Sequence, residues 1–125
     1  MIVDTSALSA LVDGDAAAGK LLAGSERHHL PVIVIGEYRF GLLRSRHRAK
    51  LEAILHDLET QWDVLAIDAG TAKAYATIRD RLRTRGQPIP ENDVWIGALA
   101  VQHSLPLMSR DRHFDQIENV RRLEW

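Results

Sequence analysis

The opening stretch, Met1-Ile2-Val3-Asp4-Thr5-Ser6, restricts the folds open to this chain more than any other. Three apolar residues stop abruptly at a carboxylate, and two hydroxyls follow. The run is too short to alternate between a wet face and a dry one. It suits a strand buried on both faces of a parallel sheet. Parallel neighbours need long crossover connections, usually helices, so helical patterns must separate the strands. Asp4 then stands at the carboxyl end of a central strand, the edge at which open α/β sheets bind ligands. A second reading makes Asp4 a helix cap, because Asp, Thr and Ser all serve at N-termini. The stretch alone does not separate the two.

The rest of the chain supplies the helices. Thr5 to Val12 reads as a short helix, interrupted at Gly14 and Asp15, and Ala16 to Ala23 resumes until Gly24. Part of the β-branched run His29 to Ile35 is expected to be a second buried strand, with Pro31 limiting its pairing. A helical period follows from Ile35 to Leu43 and carries Glu37 near its start. Leu51, Ile54, Leu55, Leu58 and Trp62 mark an amphipathic helix. Val64 to Asp68 is a third strand candidate, and Asp68 opens a helix that reaches Arg85 and stops at Gly86. After the rigid turn Gln87 to Asn92, the helix Asp93 to Val101 is apolar on nearly every side and should be central, with Asn92 as its cap and Glu91 as an understudy for Asp93. Leu105 to Met108 is a fourth strand, and Val120 to Leu123 a weak fifth at an edge. Strands alternating with helices imply right-handed crossovers and a three-layer α/β/α sandwich around a mainly parallel sheet of four to five strands. With no linker, repeat or low-complexity segment, residues 1–125 are expected to form one domain.

Composition narrows the function. A hydrophobic fraction of 46% supports a core. The chain has no cysteine, which removes disulfides, thiolate metal sites and cysteine nucleophiles and suits a reducing, cytoplasmic setting. No run approaches the roughly 20 apolar residues that span a bilayer, and no signal peptide is visible. The formal charge of −1 does not advertise nucleic-acid binding, so any such role rests on local patterns. The acid-free stretch Arg39 to Lys50 and the arginines at 79, 81, 83 and 85 are two of these, each also readable as a solvated face. His28, His29, His56, His103 and His113 lack paired metal-ligand spacing and read as structural or surface residues.

The carboxylates carry the chemistry. Asp4 and Asp111 fall at strand ends, and Glu37 and Asp93 near helix starts. In a parallel sheet those positions share one edge. Clustered carboxylates raise one another's pKa unless a cation neutralises them. Hard oxygen ligands suit Mg²⁺ or Mn²⁺, and such a site serves phosphoryl chemistry.

The segments Val3-Asp4-Thr5-Ser6-Ala7, Gly36-Glu37, Ile89-Pro90-Glu91-Asn92-Asp93-Val94-Trp95-Ile96 and Ser109-Arg110-Asp111-Arg112-His113-Phe114 together resemble the PIN-domain family, and within it the VapC toxins of toxin–antitoxin pairs. The resemblance runs in order along the whole chain. It implies a metal-dependent endoribonuclease that cuts RNA by water attack, a VapB-type antitoxin partner and a homodimer. It makes Asp4, Glu37, Asp93 and Asp111 the acidic set, with Asp4 and Asp93 the most direct Mg²⁺ ligands. Asp111 would bind a metal or its water, Glu37 a water or second ion, and Thr5 or Ser6 and Ser109 would orient waters or phosphate. Gly97 stands where the family more often has Ala, a change expected to loosen helix packing without touching the chemistry.

Two other readings compete. In one, Asp4 is the covalent nucleophile of a phosphatase or phosphoacceptor domain. The haloacid-dehalogenase pattern wants a second Asp two residues on, where this chain has Ser6. A receiver domain wants a late lysine, whereas Lys73 is the last and lies on a helix. In the other, the fold survives only as an RNA- or protein-binding module, which four intact acids argue against.

Overall fold

The computed structural model describes residues 1–125. Five short strands, β1 (Ile2–Val3), β2 (His29–Pro31), β3 (Asp63–Leu65), β4 (Leu107–Met108) and β5 (Arg122–Leu123), alternate with six helices. The helices are α1 (Thr5–Val12), α2 (Ala16–Ala23), α3 (Val32–Leu42), α4 (Arg48–Gln61), α5 (Ala69–Thr84) and α6 (Glu91–His103), and a 3-10 turn covers Arg112–Gln116. All strands pair in parallel in the order β3-β2-β1-β4-β5. The sheet is the middle layer of an α/β/α sandwich. β1 is central, with Ile2 opposite both His29 and Leu107, so Asp4 leaves the sheet from its middle.

The burial of β1 explains its brevity. Met1 through Asp4 are all buried, and so are Leu107 and Met108 of β4 and Ser109 just after it. A strand covered on both faces needs no alternation. Leu30, Val34, Leu55, Ile96, Leu99 and Phe114 pack with these strands in one core. No helix is long and apolar enough to cross a membrane.

The structure moves several expected boundaries. Helix α3 begins at Val32, three residues early, because Pro31 ends the pairing of β2 and sits at the helix N-cap position. The β-branched Val34 is then needed on the buried face of a helix, and tertiary packing overrides its strand propensity. β3 is Asp63–Leu65 rather than Val64 to Asp68, and as an edge strand it leaves Asp63 and Val64 exposed. Asp68 lies outside it and closes a capping box with Thr71 at the start of α5. α6 starts at Glu91, and Asn92 does not cap it; Pro90 holds that position, and its carbonyl accepts from the amides of Asp93 and Val94. Gly97 does not loosen its helix. A Cβ there would come 2.5 Å from Ile117 Cδ1, so the missing side chain admits Ile117 to the core.

Candidate active site

Every expected site residue lies at the carboxyl edge of the sheet or on an element that starts there. Asp4 satisfies both readings at once. It follows β1 and it caps α1, accepting the Ala7 amide at 2.7 Å on Oδ1. Ser6 donates to the same oxygen at 2.9 Å, and Ser109, 105 residues away, donates to Oδ2. Only 4% of Asp4 is exposed. Burial pushes its carboxyl above the ordinary range, the Ser109, Ala7 and Ser6 donors pull it back, and the charge of Asp111 adds to the rise.

The hydroxyl of Thr5, next to Asp4 in the chain, serves Glu37. Thr5 Oγ1 donates to Glu37 Oε1 at 3.0 Å, joining the first turn of α1 to α3. On the other side, Ser109 links two acids. While its hydroxyl donates to Asp4, its oxygen accepts the Asp111 amide at 2.9 Å. Asp111 caps the 3-10 turn by accepting the His113 amide at 2.9 Å. Arg122 fastens this segment from β5. It donates to the Ser109 carbonyl at 3.1 Å and grips Asp115 through both carboxylate oxygens, at 2.7 and 2.9 Å.

Asp93, half-buried in the first turn of α6, reaches His113, whose Nδ1 lies 3.1 Å from Asp93 Oδ2 and 2.9 Å from Asp111 Oδ1. Burial raises the Asp93 carboxyl. The His113 hydrogen bond opposes this, and the charges of Asp111 and Glu37 add to it. Asp111 thus acts on both Asp4 and Asp93, and Glu37 on Asp93, so the four acids form one electrostatic neighbourhood. One oxygen each of Asp93 and Asp111 and one ring nitrogen of His113 all lie within 4.8 Å of one another. This donor set fits a divalent cation: burial holds Asp93 within it, and Asp4 beside it, above their ordinary range, and a cation would relieve both the burial penalty and the mutual repulsion.

The sequence reads His113 as structural or surface, and the structure sets its partly exposed ring against both Asp93 and Asp111. The signal in the sequence was its place two residues after Asp111, on a turn that the buried Phe114 anchors. His28 and His29 are structural as expected. His28 packs on Trp62, and buried His29 lies between the N-terminal amine and Asp63. Glu91 does not back up Asp93. It turns away to Tyr75 Oη at 2.8 Å and Arg79 at 3.2 Å. A cavity of about 440 Å³ lies there, between the end of α5 and the start of α6, with Tyr75, Arg79, Arg83, Ile89, Glu91 and Val94 in its wall. The α5 arginines are largely engaged: Arg79 pairs with Glu91, and Arg81 with Glu118. In the 39–50 stretch, Arg39 pairs with Glu59 and Arg48 with Glu52.

Comparison with known proteins gives consistent results. The family model of the PIN domain matches residues 1–120. Ribonuclease VapC4 of Mycobacterium tuberculosis (strain ATCC 25618 / H37Rv) is 29% identical over 91 residues, covering 71% of this chain and 70% of the relative. Ribonuclease VapC5 of the same organism is 28% identical over 130 residues, covering 98% and 91%. Among solved structures, VapBC2 from Rickettsia felis, bound to a DNA fragment from their promoter, superposes with a TM-score of 0.87 at 20% identity, covering 99% of this chain and 97% of that one.

Proposed function

The chain belongs to the PIN-domain family, and from that premise we propose that it is a metal-dependent endoribonuclease acting as the toxin of a toxin–antitoxin pair. The observation that carries this reading is the gathering of Asp4, Glu37, Asp93 and Asp111 at one sheet edge, two of them raised by burial. The names of VapC4 and VapC5 support the ribonuclease activity.

Asp4 and Asp93 would hold Mg²⁺, or Mn²⁺ in its place, with Asp111 beside them. The ion, when bound, supplies a more acidic water and neutralises charge at the scissile phosphate. The protein supplies position. Ser6, Ser109 and the Ala7 amide fix both oxygens of Asp4, so this carboxylate is oriented before substrate arrives. A carboxylate so restrained suits holding a cation better than attacking phosphorus, which weighs against a covalent Asp4 phosphatase. Thr5 occupies one oxygen of Glu37 and leaves the other to accept a proton from water. α6 is packed by Val94, Ile96, Leu99 and Ala100, so it presents Asp93 from a rigid element.

The partners follow from the same surface. Tyr38 and Leu42 are core residues, but Phe40 is 79% exposed and Leu43 53%. This uncovered apolar bulk on and just after α3 supports a homodimer. The acid edge carries formal charge −4 when fully ionised, so a VapB-type antitoxin that inserts an Arg or Lys there would compete with the metal. The deciding experiment is incubation of the purified protein with a tRNA and mRNA mixture, with Mg²⁺ or Mn²⁺ and with chelator. Metal-dependent internal cleavage is expected, and intact RNA under every condition would sink the reading.

A further inference from the structure

The acidic set leaves one donor without a role, the imidazole of His113. Its Nδ1 stands 2.9 Å from Asp111 and 3.1 Å from Asp93, carboxylates that belong to different elements. Adjacent ligands of an octahedral ion are separated by √2 times the bond length, or about 3.0–3.1 Å for bonds of about 2.1–2.2 Å. Both separations match that edge.

The ring is also held in place. Asp111 accepts the His113 amide, Phe114 is buried in the core, and Arg122 ties the flanking Ser109 and Asp115 to β5. Asp93 approaches from the packed helix α6. The three donor atoms are thus presented by two independently anchored elements. Side-chain exposure of 44% for His113 leaves solvent access on its outer side.

We propose that His113 Nδ1 is a direct ligand of the divalent ion, together with Asp93 and Asp111, and that it biases this site towards Mn²⁺ over Mg²⁺. The inference rests on the reading of this edge as a divalent-ion site. The chemistry is that of ligand softness. Mg²⁺ takes oxygen donors and keeps its waters, whereas ions later in the first transition row bind imidazole increasingly well. A purely carboxylate edge would discriminate less between the two ions, so the nitrogen should widen the gap.

Metal binding itself is the test, measured without RNA. In calorimetry the wild-type protein should bind Mn²⁺ at least about tenfold more tightly than Mg²⁺. His113→Ala should weaken Mn²⁺ binding by about tenfold or more while leaving Mg²⁺ binding within about threefold. His113→Asn, checked like the Ala variant for an unchanged thermal transition, should behave the same way. In pulsed EPR the Mn²⁺-loaded wild-type protein should show nitrogen hyperfine coupling that changes when histidine is labelled with ¹⁵N. This readout needs no variant to fold. Bound Mn²⁺ without nitrogen coupling, or an Mn²⁺/Mg²⁺ preference unchanged in both variants, would overturn the proposal. Nitrogen coupling in a protein that cleaves no RNA would uphold His113 as a ligand and remove the ribonuclease reading. Metal-dependent cleavage without nitrogen coupling would do the reverse.

Discussion

Replacing Asp93 by Asn separates a structural carboxylate from a working one. Capping is not at issue, since Pro90 holds the N-cap position of α6 and no side chain caps it. Without metal, the substitution gives up a favourable charge at a helix N-terminus, about 0.3–1 kcal/mol, and the charged form of the bond to His113. It relieves the burial of a half-buried carboxylate and its repulsion by Asp111 and Glu37. These effects oppose each other, so the metal-free melting temperature should hold steady or rise, a net change within about 1 kcal/mol. With metal the balance differs. An ion at a hundredfold its Kd stabilises the wild type by about 2.7 kcal/mol, and a ten- to hundredfold loss of affinity leaves only about 0.4–1.4 kcal/mol. Cleavage should fall by about 10²–10³-fold or more, the scale of losing one electrostatic group at the reacting centre. Single-turnover cleavage of a labelled RNA and thermal melts with and without Mg²⁺ or Mn²⁺ read out all three quantities. A folded Asp93→Asn protein with near wild-type cleavage and an undiminished metal-induced shift in melting would refute the assignment.

Ser109→Ala removes a donor from buried Asp4 and should cost about 1–3 kcal/mol in stability and about 10–100-fold in cleavage or metal affinity; wild-type values in both urea melts and cleavage assays would show that the contact orients nothing. Phe40→Asp should shift sedimentation at tens of micromolar from dimer to monomer without changing the circular dichroism spectrum, and an unchanged dimer would place the interface elsewhere. Asp68 is held below the ordinary carboxylate range, first by the Thr71 amide and then by Gln102. An acid lowered by folding stabilises above its unfolded pKa, and that contribution fades as pH falls through the folded value. Asp68→Ala should therefore melt below the wild type at pH 7, with the gap closing as pH falls below about 4; a gap that is constant with pH would assign the effect to something other than ionisation.

The elements that were legible in the sequence are those in which residue type and geometry are tied locally. Ile2-Val3 before Asp4 could be placed as a central buried strand because a three-residue apolar run has no wet face to show. Asp68 and Gly86 could be placed at the ends of α5 because a capping box and a left-handed glycine are short-range devices. Val34 misled because β-branching describes a side chain's stiffness, while the fold needed an apolar residue on the buried face of a helix there. Residue type alone does not separate Phe40 and Leu43 from Tyr38 and Leu42, yet the helical turn sends the two pairs to opposite environments.

The site divides along the same line. Four acids could be assigned to one edge because parallel topology alone sends strand ends and helix starts there. Which groups then touch is decided by contacts that no local pattern carries. Ser109 reaches Asp4 across 105 positions, and Arg122 reaches back from the last strand to the segment bearing Asp111. His113 belongs to this second kind. A search for paired histidines or helical spacing passes over it, because its partner Asp93 lies 20 positions away on another element. The shape of the proposed ligand set is therefore a tertiary property even where its acidic members are readable one by one. That distinction matters chemically: the acids carry the proposal that this edge holds a cation, whereas the proposed preference among cations turns on a nitrogen that only the folded chain brings to them.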